Sequence, residues 1–294
     1  MNIIDGKKIS NQIKDEIKLE VQNIISNGGT PPHLAAVLVG DDGASLTYVG
    51  SKVKSCEQVG FKSTLIKLSE NVSEKELLNK IKELNNNKEI DGFIVQLPLP
   101  KHIDEQKILL SIDPNKDVDG FHPTNFGKMA LNMETFIPAT PYGIMELLKR
   151  YKIETKGKHT VVIGRSHIVG RPISILMNSK GTVGDSTVTV THSRTTNIES
   201  HIKKADIVVS ALGIPGFVKK NMLKTGVVII DVGITRVKSA EHPKGYTIQG
   251  DVDFESAKEV ASYITPVPGG VGPMTIAMLL KNTLLSKSLS KDMF

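Results

Sequence analysis

The chain has 294 residues, a length that corresponds to about two domains or one large one. Hydrophobic residues make up 39% of the sequence and charged residues 23%, which excludes a chain that is disordered by composition. The net charge of +6 is small and comes from scattered Lys and Arg, which argues against a nucleic-acid-binding protein and leaves a phosphorylated or polyanionic small molecule open as a partner.

The N-terminal residues include Asp5 and Gly6 and contain no apolar stretch of signal-peptide length. The longest apolar runs, such as 227–230, are a few residues long, whereas a helix that crosses a bilayer needs roughly 20. We therefore expect a cytoplasmic protein that has no membrane segment.

Eight short runs rich in Val and Ile are almost continuously apolar and are bounded by Gly, Asp or Pro. Such runs are typical of strands that are covered on both faces, as in a parallel sheet with helices between its strands. The predicted strands are 34–39, 64–68, 92–97, 160–163, 187–191, 207–211, 227–232 and 263–265. Helices are predicted between them, and the helix over 73–85 begins with the capping-box pair Ser73 and Glu76. The predicted fold class is α/β, doubly wound.

The predicted strands form two groups, of which one ends before residue 100 and the other begins after residue 158. The stretch 113–141 between them is dense in Pro, Asn, Asp and Gly and is predicted to be a loop. A helix over 142–151 follows Pro141, a residue suited to the first turn of a helix. We expect two lobes with a ligand in the cleft between them, because ligand sites tend to lie at domain interfaces.

The first lobe contains four candidate site residues. Tyr48 and Lys52 are four residues apart on a predicted helix and share a neighbouring face, although this spacing alone also fits an ordinary surface contact. Gln96 is predicted at the C-terminal end of a buried strand, and Asp119 lies on the connection that follows. Ligands of α/β sheets bind at the C-terminal ends of the strands, so these residues become candidates together.

No metal site and no disulfide are predicted. Cys56 is the only cysteine, and we expect a reduced thiol in the core rather than a nucleophile. The segment 115–120 imitates the start of a calcium loop, but the twelfth position is Phe126 and not the Glu that such a loop requires. The eight histidines show no H-E-x-x-H pattern and no paired ligand spacing.

In the second lobe, a predicted strand leads directly into a glycine turn and a helix. This arrangement favours a phosphate at the helix N-terminus. The spacing is not G-x-G-x-x-G, because Ser166 replaces the second glycine and the next glycine is Gly170. The turn, which starts at Gly164, therefore fits either dinucleotide binding or an ordinary tight turn.

The next strand bears on the choice of cofactor. NAD sites place an acid at its end, where it binds the ribose 2′-hydroxyl. Here Thr191 is followed by His192, Ser193 and Arg194, with no acid, and Arg165 lies in the first turn. A hydroxyl beside cations suits a 2′-phosphate and favours NADP, unless the two arginines are solvated surface cations.

Seven motifs follow one another in the order of a known enzyme family. They are YVGSKVKSCEQVGF, DGFIVQLPLP, DPNKDVDGFHP, PATPYGI, VVIGRSHIVGRP, GDVDF and ITPVPGGVGPMTIAMLL. The match extends from about residue 5 to residue 284, and DGFIVQLPLP and PVPGGVGPMT are its most specific parts. The sequence resembles the bifunctional methylenetetrahydrofolate dehydrogenase/methenyltetrahydrofolate cyclohydrolase family, the FolD type.

The resemblance implies oxidation of 5,10-methylenetetrahydrofolate to 5,10-methenyltetrahydrofolate with NADP, followed by hydrolysis to 10-formyltetrahydrofolate. It implies a folate-binding catalytic domain of residues 1–140 and 274–294, made discontinuous by a final helix over 274–285 that returns to the first lobe. It further implies a Rossmann-like NADP-binding domain of residues 141–273, and a homodimer formed through the cofactor lobes.

The resemblance also implies roles for individual residues. Lys52 would be the catalytic lysine, Gln96 would hold and tune it, and Asp119 would bind the pterin end of the substrate. The substrate-binding residues would be Tyr48, Ser45, Val95, Leu97, Pro268, Gly269, Gly270, Val271 and Gly272. The NADP contacts would be Gly164, Arg165, Ser166, Ser193 and Ile234. The chain departs from the family at Ala139, where cysteine is commoner, and in the longer stretch 178–186, which affects the alignment of Ser193.

Two other functions remain open. One is a different two-lobed NADP-dependent dehydrogenase, for example one that acts on a shikimate-like acid, but it would leave Tyr48, Lys52, Gln96 and the P-G-G-V-G-P loop unexplained. The other is a non-catalytic NADP-binding protein, against which the intact Lys52 and Asp119 argue.

Overall fold

A computed structural model of the chain describes residues 1–41, 43–239 and 245–289. The strands are β1 Asn2–Ile3, β2 His33–Val39, β3 Lys62–Leu68, β4 Gly92–Val95, β5 His159–Ile163, β6 Thr187–Thr191, β7 Ile207–Ser210, β8 Val228–Asp231, β9 Thr235–Lys238, β10 Tyr246–Gln249 and β11 Tyr263–Ile264. The helices are α1 Gly6–Ser26, α2 Gly43–Val59, α3 Glu74–Asn86, α4 Glu105–Leu110, α5 Pro123–Ala130, α6 Ala139–Arg150, α7 Gly170–Asn178, α8 Ile198–Ile202, α9 Phe254–Ala257 and α10 Val271–Leu289. These elements confirm the predicted α/β class.

The chain divides into two compact units, which we name by their main sheets. The six-stranded unit contains Met1–Ser10 and Thr140–Thr275, and the three-stranded unit contains Asn11–Ala139 and the chain from Ile276 onward. The N-terminus thus differs from the predicted division, which assigned residues 1–140 to one domain. The physical reason is that β1 pairs in parallel with β11, so the first residues belong to the six-stranded sheet.

The three-stranded sheet has the order β3-β2-β4 with all strands parallel. Its core includes Val37, Phe93, Leu77 and Ile81, which are buried where α3 packs on the sheet. The predicted capping box is confirmed, because Ser73 accepts a hydrogen bond from the Glu76 N–H and the Glu76 carboxylate accepts one from the Ser73 N–H. The helix α2 packs against β2 and β3 of this sheet.

The six-stranded sheet has the order β1-β11-β8-β7-β5-β6 and is parallel throughout. The central strands β7 and β8 are buried over their whole length, which is why their sequences are continuously apolar rather than alternating. The stretch 178–186 between α7 and β6 is anchored on Thr155, whose hydroxyl accepts from the Gly184 N–H and whose carbonyl accepts from the Ser186 hydroxyl.

Two predictions of local structure were wrong or incomplete. The predicted loop 113–141 contains the helix α5, which His122 caps by accepting from the Thr124 N–H and which Pro123 begins. The antiparallel pair of β9 and β10 was not predicted. In both cases the segments are short, and their alternation of apolar and polar residues is too brief to give a period.

A hydrogen-bonded group of four residues begins the central strand of the three-stranded sheet. The His33 N–H donates to Asp91 Oδ2 at 2.8 Å. The His33 ring contacts the Glu89 carbonyl through Nδ1 at 3.0 Å and Thr64 Oγ1 through Nε2 at 2.8 Å. At the other end of the same strand, Gly40 has a positive φ of 79° and donates to the end of β3.

The six-stranded sheet repeats this group at the start of β5. The His159 N–H donates to Asp206 Oδ2 at 2.8 Å, and the ring contacts the Lys204 carbonyl and Thr189 Oγ1 at 3.2 and 2.9 Å. Each threonine lies two residues beyond the partner of its histidine on the neighbouring strand, so the register is also the same. Gly164 at the far end of β5 again has a positive φ, here 119°, and donates to the end of β6.

Candidate active site

Three side chains follow one another at intervals of four along α2, and therefore share one face of the helix. Lys52 is only 5% exposed, and its Nζ lies 4.5 Å from the centroid of the Tyr48 ring, within the range of a cation–π contact. Cys56 is buried, and burial raises the pKa of its thiol to about 12. The thiol is therefore protonated and inert, as predicted for a core residue.

Gln96 directly follows β4 and meets the ammonium of Lys52. Its Oε1 accepts a hydrogen bond from Lys52 Nζ at 3.3 Å. Its Nε2 donates to the Leu97 carbonyl at 2.7 Å, and its backbone N–H donates to the Val37 carbonyl. Because the Leu97 carbonyl only accepts, the amide is held with Nε2 toward it and Oε1 toward the lysine.

Lys52 and Asp119 are coupled electrostatically. Burial lowers the pKa of Lys52 from its ordinary value, and the negative charge of Asp119 opposes that shift. Burial raises the pKa of the Asp119 carboxyl, and the positive charge of Lys52 opposes that shift in turn. A lysine whose pKa is lowered toward the working pH can both release and take up a proton, which is what a general base requires.

A buried network holds the segment that carries Asp119. Asp117 is 2% exposed, and its Oδ2 accepts from the His122 N–H at 2.8 Å and from Asn125 Nδ2 at 2.9 Å. Burial raises the pKa of Asp117 to about 7 despite these hydrogen bonds. On the other side, Asn282 of α10 donates from Nδ2 to the Val118 and Ile137 carbonyls, both at 2.8 Å.

Asn125 and Asn282 were not predicted as site residues. The only available signal for Asn282 is an amide within the otherwise apolar stretch of α10. Asp117 carries a stronger signal, because it belongs to the same D-V-D-G-F motif as Asp119.

The other predicted residues of the three-stranded unit lie close to this group in the chain and in the fold. Ser45 is buried on α2, one turn before Tyr48, and Val95 is the buried last residue of β4. Leu97 is half-buried and accepts the hydrogen bond from the Gln96 amide. The end of β4 and one face of α2 thus supply all of these side chains.

The turn after β5 in the six-stranded unit requires glycine at two positions. Besides its positive φ, a Cβ on Gly164 would lie 2.4 Å from the Ala211 carbonyl oxygen. A Cβ on Gly170, the first residue of α7, would lie 2.4 Å from the Gly164 carbonyl oxygen. These are the two roles that the first and last glycines of a dinucleotide-binding turn fulfil, namely the tight turn and the close approach of helix and strand.

Polar groups at this turn suit an anionic ligand. The Ser166 hydroxyl accepts from the Val169 and Gly170 N–H groups, both at 3.2 Å, which leaves its own O–H free to donate. Arg165 is exposed, and Ser193 and Arg194 are exposed at the end of β6. The two strand ends are joined by a hydrogen bond between the Gly164 N–H and the Thr191 carbonyl at 2.8 Å.

A cavity of about 230 Å³ also belongs to the six-stranded unit. The predicted loop Pro268, Gly269, Gly270, Val271 and Gly272 lines it together with Ile234 and with 231–233 at the end of β8. The structure therefore brings Ile234, predicted as a cofactor contact, together with five residues predicted to bind the substrate.

No metal-binding cluster of three or more His, Cys, Asp or Glu occurs in residues 1–41, 43–239 and 245–289. In those same residues no helix has both the length and the apolar character that crossing a membrane would need.

Two family profiles match the chain. Residues 4–119 match the catalytic domain of tetrahydrofolate dehydrogenase/cyclohydrolase, and residues 138–291 match the NAD(P)-binding domain of tetrahydrofolate dehydrogenase/cyclohydrolase. The two matched segments together cover most of the sequence.

Individual proteins are similar over nearly the full length. The Bifunctional protein FolD of Flavobacterium johnsoniae is 70% identical over 289 residues, which are 98% of this chain and 98% of the relative. The crystal structure of the FolD methylenetetrahydrofolate dehydrogenase/cyclohydrolase from Campylobacter jejuni has a TM-score of 0.93 and 47% identity over 99% of both chains. The N5,N10-methylenetetrahydrofolate dehydrogenase-cyclohydrolase of Trypanosoma brucei, solved with NADP cofactor and an inhibitor, has a TM-score of 0.92 and 39% identity, covering 98% of this chain and 97% of that one.

The coupling of the two buried charges predicts the effect of removing one of them. In Asp119→Asn the charge that favours the ammonium form is lost, so we expect the pKa of Lys52 to fall below its value in the unsubstituted protein. Titration of lysine labelled with ¹³C at Cε and followed by NMR measures this pKa directly. Asp104→Asn, which neutralises an exposed carboxylate at the start of α4, is the control and should leave the Lys52 titration in place. An unchanged or higher pKa in Asp119→Asn would contradict the coupling.

Proposed function

Since this chain belongs to the tetrahydrofolate dehydrogenase/cyclohydrolase family, we propose that the group of Tyr48, Lys52, Gln96 and Asp119 is its catalytic centre. The protein is a bifunctional enzyme: it oxidises 5,10-methylenetetrahydrofolate to 5,10-methenyltetrahydrofolate with NADP and hydrolyses the methenyl compound to 10-formyltetrahydrofolate. The single observation that supports this assignment best is the hydrogen bond from the buried Lys52 ammonium to Gln96 beside the Tyr48 ring.

Hydrolysis of the methenyl cation needs an activated water and a group that moves protons. In this proposal neutral Lys52 takes a proton from the water that attacks the methenyl carbon. The ammonium then gives a proton to the folate nitrogen whose bond to that carbon breaks, while the new hydroxyl releases its proton to solvent. Gln96 accepts from the ammonium form, so it steadies the lysine after protonation. Asp119 balances the charge and would bind the pterin end of the substrate, while the exposed part of the Tyr48 ring would stack on the folate. Ser45, Val95 and Leu97 would line the substrate beside these groups.

Oxidation makes a different demand on the protein. The methylene carbon is flanked by two nitrogens that delocalise the resulting cation, so no strong base is needed and positioning dominates. NADP, when bound, supplies the hydride acceptor. The glycine turn fits this cofactor, because Gly164 and Gly170 allow the backbone to approach closely and Ser166 presents a donor. Arg165 and Ser193 would bind the 2′-phosphate, and Ile234 would contact the cofactor.

We also propose that the substrate enters the cavity described above. The loop that would bind it there consists of Pro268, Gly269, Gly270, Val271 and Gly272. We assign folate binding and catalysis to a domain of 1–140 and 274–294, apart from the first residues that join the six-stranded sheet, and NADP binding to 141–273.

We propose further that the protein acts in the cytoplasm as a homodimer, in which the NADP-binding domains of the two copies contact each other. The edge strand β6, with Val190 39% exposed, supports pairing there. Sedimentation equilibrium should give twice the mass of one chain, and a monomer at micromolar concentration would contradict the dimer.

Replacement of the lysine separates the two activities. Lys52→Met keeps the length of the side chain and removes the amine, so we expect the cyclohydrolase kcat/KM to fall by about a hundredfold to ten-thousandfold. The dehydrogenase should lose less, because its step needs no base. Both activities are measured on the same preparation, one as formation of NADPH and the other as loss of the methenyl compound.

Lys54→Met is the matched control, because Lys54 is exposed on the same helix, and it should leave both activities unchanged. Equal collapse of both activities in a folded Lys52→Met protein would refute the division of roles.

The arginine of the first turn tests the NADP site. Removing a charged hydrogen-bond donor to the 2′-phosphate in Arg165→Ala should reduce kcat/KM with NADP by about tenfold to a hundredfold while that with NAD stays nearly constant. Lys156→Ala, an exposed cation of the same unit, serves as the control. A wild-type protein that prefers NAD, or an unchanged NADP/NAD ratio in Arg165→Ala, would show that Arg165 does not read the 2′-phosphate.

A further inference from the structure

Asp251, in the segment that leads from β10 to α9, is completely buried in the six-stranded unit and yet accepts three hydrogen bonds. Its Oδ2 accepts from the Leu212 N–H at 2.6 Å and from the Ser210 hydroxyl at 3.3 Å. Its Oδ1 accepts from the Ile214 N–H at 2.9 Å. All three donors lie at the end of β7 or just after it, so one carboxylate fixes the path of the chain where it leaves the sheet.

Asp231, the last residue of β8, is 3% exposed and is bound in the same way. Its Oδ1 accepts from the Gly233 N–H at 2.9 Å and from the Asp251 N–H at 3.0 Å, and its Oδ2 accepts from the Val252 N–H at 2.9 Å. The Asp231 carboxylate therefore holds the backbone of Asp251. We call Asp231 and Asp251 the carboxylate pair.

Two glycines make room for the carboxylate pair. A Cβ on Gly250 would lie 2.0 Å from Asp231 Oδ2, and a Cβ on Gly233 would lie 2.3 Å from Asp251 Oδ1. Both glycines lie in backbone that Asp231 holds, because Gly233 donates to its carboxylate and Gly250 precedes two residues that also donate to it, so a side chain at either position would displace a carboxylate of the pair. Burial raises the pKa of Asp231 to about 6, while the N–H donors oppose that shift.

The segments held by the pair border the residues proposed to bind NADP. Gly233 and Ile234 line the cavity that the P-G-G-V-G loop completes. Ala211, which precedes Leu212, donates to the end of β5, and its carbonyl is the group that a side chain at 164 would strike. Both segments therefore lie at the C-terminal edge of the sheet, and 212–214 follows the residue that packs against the glycine turn.

We propose that Asp231 and Asp251 are positioning residues of the NADP site, which hold 212–214 and 233–234 in the shape that receives the cofactor. This inference rests on the proposed function, because it presumes that NADP binds at this edge of the six-stranded sheet. The pair acts through the backbone that it ties and does not itself need to touch NADP.

Asp251→Asn tests the pair with little change of volume. The new NH₂ group must face backbone N–H donors, so the segment 212–214 loses at least one of its ties. We expect the Kd for NADP, measured by isothermal titration calorimetry, to rise by about tenfold or more, with an equal rise of KM for NADP. The cyclohydrolase kcat/KM should stay within about twofold, because Lys52, Gln96 and Asp119 belong to the other unit and because 212–214 do not line the cavity of the proposed substrate loop.

Asp253→Asn is the matched control in the same G-D-V-D-F motif. Asp253 caps the short helix α9 by accepting from the Ser256 N–H, and an asparagine oxygen can accept the same bond, so this change should alter neither the stability in urea nor the Kd for NADP. Should Asp251→Asn fail to fold, Ser210→Ala removes a single bond to the same carboxylate, and we then expect a rise in Kd of about twofold to threefold.

The possible outcomes separate the inference from its premise. An unchanged Kd in folded Asp251→Asn, or an equal loss of cyclohydrolase and NADP binding, would overturn the positioning role while the proposed function stands. A wild-type protein that does not bind NADP in calorimetry would overturn the proposed cofactor site and this inference with it.

Discussion

The burial of one ammonium group, that of Lys52, constrains the three-stranded unit. Lys52 loses its water on folding, so its charge must be matched by groups inside the protein. The ring of Tyr48 comes from the same helix, the oxygen of Gln96 from the end of β4, and the charge of Asp119 from the turn beyond. The three-stranded parallel sheet places the end of β4 beside α2, and this brings Gln96 to the lysine.

Three buried acidic side chains differ from Lys52 in the groups that bind them. Asp117, Asp231 and Asp251 are buried, and their hydrogen-bond donors are mostly backbone N–H groups. A carboxylate held by the backbone is fixed in place together with the loop that it ties. The Lys52 ammonium is instead held by a side-chain amide and an aromatic face. Among the residues that the structure describes, Lys52 is the one lysine or arginine that is buried, and its partners differ in this way from those of the three carboxylates.

The sequence predicted those features that depend on neighbouring residues. The buried strands, the capping box at Ser73 and the face that joins Tyr48 to Lys52 follow from local spacing, and family motifs pointed to Gln96. The two-residue strand β1 could not be predicted, because it exists only through its pairing with a strand some 260 positions away. The same limit applies to Asn282, whose partners are 145 and 164 residues distant, and to the carboxylate pair. The hydrogen bonds of these residues form between loops that are distant in the sequence and close in space, so residue spacing cannot predict them.

The histidine groups at the start of β2 and β5 have the same arrangement of hydrogen bonds in the two sheets. In each, a histidine opens the first strand, a glycine with positive φ closes it, and the following helix carries functional groups. The helix after Gly40 carries Lys52, and the helix after Gly164 begins at the glycine turn. Both sheets therefore contain the same local arrangement, in which a parallel strand leads through a glycine turn to a helix. For engineering, each position around His33 has an equivalent position around His159. A substitution that raises the stability of one sheet therefore identifies the position to change in the other.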